Sequence, residues 1–221
     1  MLNDLINIFG NKTKALEILY LLEGIKPVAR HGFYENELPA VEKFCRANRL
    51  YIEKSPYKVV IVDAGDGEYS NKGIKVKTDD PRQGMLFIYI SKDQMKAELA
   101  AKYEAEGNDK ELGLLLGYPL CCIEFFIRHK EKQSIGKNDY AEPILKNSQG
   151  YMFPFYTNIF KKQFDVTLLN HFPCSLECEG SIDLAQLHLD LIRKHDPSLA
   201  EHFIQRLKGK INVEKGVIEF Y

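Results

Sequence analysis

Two short turns constrain this chain more than anything else in it. Leu-Gly-Tyr-Pro-Leu-Cys-Cys occupies 116–122, and Asn-His-Phe-Pro-Cys-Ser-Leu-Glu-Cys occupies 170–178. Four of the five cysteines, Cys121, Cys122, Cys174 and Cys178, stand there, with His171 beside the second pair. Each turn has a proline one or two residues ahead of its first cysteine and leads into a helical pattern. A fold that joins the two turns creates one thiol-rich site built from two helix N-termini.

The spacing defines what that site can hold. Cys174 and Cys178 are four apart, which on a helix puts both sulfurs on one face, about a turn apart. His171 precedes Cys174 by three residues across Pro173 and can fold back toward the same point. One of Cys121 or Cys122 completes a set of three thiolates and an imidazole, which suits tetrahedral zinc. Adjacent helical cysteines point about 100° apart, so both reach one ion only from a turn ahead of the helix. The set is then all thiolate, with His171 as an outer donor. Four thiolates also suit an iron–sulfur cluster.

The same residues serve a second chemistry. Unpaired N–H groups in a helix's first turn stabilise thiolates and favour thiol–disulfide exchange without metal. In a third reading the thiols are simply buried, and the aromatic segment 151–160 makes the chain a binding module.

These turns resemble those of a poorly characterised, mainly archaeal protein family with an LGYPxCC turn and, about fifty residues later, an HxPCSxxC turn. Both patterns are intact here, at Leu116–Cys122 and His171–Cys178. The resemblance covers the central and C-terminal part of the chain and implies that the two turns belong to one domain. It brings no activity with it.

Length and charge narrow the class. The 221 residues suit one domain over 1–221, with an α/β part over 1–92 and a helical, cysteine-bearing part over 93–221 as sub-lobes. Thirty basic and thirty-one acidic residues leave no basic footprint for nucleic acid or an anionic membrane. The N-terminus carries Asp4 and lacks the basic region of a secretory signal, and its charges are too frequent for a membrane span. A cytoplasmic location follows, where clustered thiols signal metal or redox chemistry. The partner is a small molecule or a protein of unknown identity, and the oligomeric state is open.

The rest of the chain reads as α+β: a small, mostly antiparallel sheet and a predominantly helical C-terminal half. Two short helices fill 1–24, a connecting loop runs from Lys26 through Gly32, and a helix over 37–50 buries Cys45. Strands follow at Tyr57–Asp63, Ile74–Lys77 and Met85–Ile90. Between them, Asp63, Asp66 and Glu68 would repel phosphate and the full GxGxxG spacing is missing, so the loop is a turn and not a nucleotide site. Ser91 caps a helix over 92–106, and another runs from Asp109 to Leu116. Residues 133–150 read as loop with one helical turn near Ile144–Lys146, and 164–169 as a short strand or helix end. Helices follow at 181–194 and 197–207, then two short strands that add to the sheet. Glu124 reads as solvated, His188 as a hydrogen-bonded core histidine and His129 as part of a charged face. His31, His195 and His202 show no partner spacing. Asp139, Tyr140, Glu142 and Asn158 are candidate pocket linings.

Overall fold

The computed structural model describes residues 1–61, 73–135, 140–213 and 216–221. Its N-terminal half packs helices on a four-stranded antiparallel sheet. Helix α1 (Leu2–Phe9) buries Leu2, Leu5 and Phe9 and stops at Gly10. Asn11 caps α2 (Lys12–Leu22), its side chain accepting the Lys14 amide. The Asp165 carboxylate, remote in sequence, accepts the Lys12 and Thr13 amides at 2.7 and 2.8 Å. Helix α2 is buried on nearly every side, Glu17 included.

The sheet comprises β1 (Val28–Phe33), β2 (Tyr51–Ile61), β3 (Gly73–Lys77) and β4 (Met85–Ser91), in the order β1-β4-β2-β3, with α3 (Leu38–Ala47) between β1 and β2. Strand β1 replaces the expected connecting loop. Val-Ala-Arg-His-Gly-Phe has little β-branched character; it is a strand because β4 pairs with it from Val28↔Ser91 to Phe33↔Leu86. Ser91 is the last residue of β4 and not a helix cap: its hydroxyl donates to the Pro27 carbonyl at 2.8 Å and accepts the Asp93 amide. Asp93 therefore caps α4 (Gln94–Glu106). The Asp63–Glu68 turn lies outside the described residues.

The C-terminal half holds α5 (Asp109–Leu115), α6 (Leu120–Ile135), α7 (Ala141–Asn147), α8 (Glu179–His195) and α9 (Pro197–Leu207). Helix α7 occupies the expected loop, with Pro143 in its first turn, where no intrahelical N–H bond is lost, and Ile144 buried. Residues 164–169 form neither strand nor α-helix end: a 3₁₀ turn over Ile159–Phe164 stops at Asp165, and irregular chain runs on to the second cysteine turn. The tail strands β6 (Gly209–Val213) and β7 (Gly216–Phe220) do not extend the first sheet. They pair with each other, and β7 pairs in parallel with β5 (Met152–Phe153), making a second, three-stranded sheet.

One core cluster runs from Leu2 to Phe220 and takes in Cys45 and the aromatic Phe153 and Phe155. A smaller one, with Val28, Tyr89, Ala100, Leu112 and Leu116, lies under the first cysteine turn. Among the described residues no helix is long and apolar enough to cross a membrane.

Candidate metal centre

Local backbone chemistry sets each cysteine. After α5, Gly117 reverses the chain at φ 75°, a state that strains any side chain. Pro119 stands just ahead of α6. Its carbonyl accepts the amides of Cys122 and Ile123 at 3.0 and 3.1 Å. Cys121 and Cys122 thus occupy the first turn of α6.

The second pair does not share a helix face. Cys174 lies in a non-helical turn, closed by the Cys178 amide donating to the Ser175 carbonyl at 3.2 Å. Cys178 is the N-cap of α8. The turn, not a helical repeat, makes the four-residue spacing bring the two sulfurs together. Gly180 allows the two cysteine turns to touch, since a Cβ there would stand 3.2 Å from Pro119 Cβ.

The four sulfurs converge. Sγ of Cys178 is 3.7 Å from that of Cys121 and 3.6 Å from that of Cys122, and the adjacent pair are 3.9 Å apart. With Cys174 included, all four lie within 4.8 Å of one another and could hold a metal ion. The adjacent cysteines reach one point despite being helical because Cys178 arrives across the end of α6, level with both. Cys122 and Cys178 are buried, Cys174 is half-buried and Cys121 is exposed, so the group opens to solvent on one side.

Polar partners back the sulfurs. The Cys174 amide donates to Cys122 Sγ at 3.3 Å, and Ser181 Oγ lies 3.2 Å from the same sulfur. His171 Nε2 is 2.9 Å from Ser181 Oγ, so the imidazole stands one hydroxyl behind the sulfurs. Its Nδ1 is buried without a partner among the described residues, and burial lowers its pKa to about 3. The hydrogen bond from Cys122, helped by Ser181, brings the Cys178 thiol down to about 4. The same bond holds Cys122 well above the ordinary thiol value, and burial pushes Cys174 up to about 12. Cys178 is therefore the sulfur that its neighbours Cys122 and Ser181 favour as a thiolate. Cys45 lies outside it, buried in α3, where burial pushes its thiol up to about 12.

The weaker candidates find ordinary roles. Glu124 is exposed. His188 Nδ1 bonds the Leu168 carbonyl at 2.8 Å and its ring stacks on Tyr20. His129 bonds the Phe125 carbonyl, and His202 meets Phe203 edge-on. His195, expected to lack a partner, pairs with Glu23 at 2.8 Å. Tyr140 is buried and stacks with both Phe126 and Phe172. Asn158 donates to the Leu207 carbonyl, Glu142 is exposed, and Asp139 lies outside the described residues.

Sequence reasoning missed two features. One is Ser181, legible only as the hydroxyl three residues after the helix-starting Cys178. The other is a buried ion pair, Glu17 with Lys26 at 2.7 Å, with His31 Nε2 4.0 Å from the same carboxylate. A lone carboxylate inside the apolar run Ala15–Leu22 was its signal. Lys26 also lies over the Tyr118 ring, which faces His171 at 5.0 Å between centroids.

No curated protein and no solved structure matches the chain. Residues 92–196 match the model of a family described as a protein of unknown function, DUF483. The stretch that builds the centre, with both cysteine turns in it, is thus that of an uncharacterised protein family.

Proposed function

We propose that this is a cytoplasmic metal-binding protein in which Cys121, Cys122, Cys174 and Cys178 hold a single zinc ion. One observation carries the reading: the 3.6–3.9 Å separations among three of the sulfurs. A zinc–sulfur bond of about 2.3 Å implies a tetrahedron edge of about 3.8 Å. Sulfurs around a multi-iron cluster stand further apart, so an iron–sulfur centre ranks second. His171 is then no ligand but an outer partner acting through Ser181, which donates to the Cys122 thiolate and accepts from Nε2. Four thiolates fill the coordination shell, which makes the ion a clamp between the two turns. Unpaired thiols fit a reducing compartment. The core running from Leu2 to Phe220 supports treating 1–221 as one domain.

A redox reading has its own support in the lowered Cys178 thiol, 3.6 Å from Cys122. Elemental analysis of protein purified anaerobically under reductant separates the two. About one zinc per chain, lost in Cys174→Ser and Cys178→Ser, is the expected result. Metal-free, fully folded protein whose Cys178 alkylates rapidly below neutral pH would replace the metal reading with the redox one.

A further inference from the structure

Beside the cysteine turns lies a cavity of about 380 Å³, bounded by the sheet, α4, α5, α6 and the second turn. It falls within the size range of small-molecule sites. Only Cys122 and His171 belong to both the cavity and the metal centre.

Those walls have a definite character. Three rings, those of Tyr118, Phe126 and Phe172, line the cavity. Phe126 and Phe172 are each stacked on the buried Tyr140, which fixes their planes. The charged lining is Arg30, Lys75 and Lys130 against Glu104 and Asp109. Arg30 forms a two-point pair with Glu104, and its guanidinium also stacks on Phe87. Lys130 pairs with Asp109 at 2.5 Å. These two pairs cancel.

Lys75 is what remains. It projects from β3, an edge strand of the sheet, and its ammonium rests over the Tyr57 ring at 4.2 Å. It makes no ion pair among the described residues. His171, held neutral by burial, adds no charge. Away from the shared Cys122, the cavity therefore presents three aromatic walls and one surplus positive charge.

We infer that this cavity binds a small planar aromatic acid, its ring against Tyr118, Phe126 and Phe172 and its single negative charge toward Lys75. Flat apolar walls select a ring, and the uncancelled cation at the edge selects a monoanion over a neutral or cationic analogue.

The absence of tryptophan from the chain supplies a clean assay. Indole-3-acetate, the probe, is followed by its own fluorescence anisotropy as the full-length protein is titrated in, with tryptamine as the cationic comparison. Saturable binding of the acid in preference to the amine is expected. Lys75→Glu, at an exposed position on an edge strand, turns the surplus from positive to negative. It should weaken acid binding about tenfold or more and favour the amine, with the thermal unfolding midpoint unchanged. No anisotropy rise at millimolar protein, equal binding of acid and amine, or acid binding indifferent to Lys75→Glu would overturn the inference. Zinc measured on the same samples keeps this outcome separate from that of the metal reading.

Discussion

Two polar clusters, linked through Tyr118 and His171, solve burial in opposite ways. Glu17 and Lys26 are each almost wholly buried, yet they answer one another. Burial alone would neutralise both, and their 2.7 Å contact keeps the carboxyl below and the ammonium above their ordinary values. The cysteine cluster contains only groups that ionise to anions. Its members cannot all ionise without a cation: Cys178 is eased toward the thiolate only by a bond that holds the Cys122 thiol up. A self-neutralising pair is complete from the chain alone, whereas a set of like groups asks for something from outside.

That contrast can be broken at either end. The largest effect is expected from removing the ion. Chelation, or Cys178→Ser, should lower unfolding stability by about 4 kcal/mol or more in urea titrations at saturating zinc. No difference between chelated and zinc-loaded wild type would end the clamp reading. Next, Lys26→Met strands a buried carboxylate and should cost about 3 kcal/mol, most of it recovered in Lys26→Met/Glu17→Gln. If the single and double variants are equally unstable, the pair is not self-sufficient and the contrast fails.

A smaller effect sharpens the centre itself. Ser181→Ala removes the hydroxyl between His171 and Cys122 and should reduce zinc affinity by about 10- to 100-fold in competition with a chromophoric chelator. An unchanged affinity would make that hydroxyl a packing feature only. The smallest effect tests the ion-pair side by pH. Burial lowers the His31 pKa to about 3 and also lowers that of His188. The folded state therefore resists protons that the unfolded chain takes up near pH 6.5. The stability due to neutral His31 is complete above that pH and declines as pH falls from about 6.5 toward 3. His31 should contribute about 1 kcal/mol of loss over the first pH unit of the descent. A loss between pH 6.5 and 5.5 smaller by about 1 kcal/mol in His31→Asn than in wild type would assign that share, and equal losses would remove it.

What the sequence disclosed follows the range of the forces involved. Helices α1, α2, α5, α8 and α9 announce themselves because apolar periodicity and caps such as Asn11 and Asp196 act within a few residues. Strand β1 was hidden, since its strand character comes from β4, more than fifty residues away. The tail strands were legible as strands but not in their destination, because only the fold places Met152–Phe153 beside β7. At the centre the residue types and the pairing of turns were visible in Cys121, Cys122, Cys174 and Cys178. The rank of His171 was not, because a hydroxyl ten residues further on stands between it and the sulfurs. The pocket wall expected at Asn158 was likewise misplaced; that side chain is spent on the Leu207 carbonyl.

Helix α8 links these observations mechanically. It starts directly after its N-cap Cys178 and runs 17 residues, Glu179 to His195, a rod of about 25 Å. At its far end Lys194 and His195 grip Glu23 at the close of α2, the helix that carries Glu17. The rod thus has the cysteine cluster at one tip and an ion-paired carboxylate at the other. Any motion that starts at Cys178 would reach Glu23 only through Ala185, Leu189 and Ile192, which are buried in the core between the two ends.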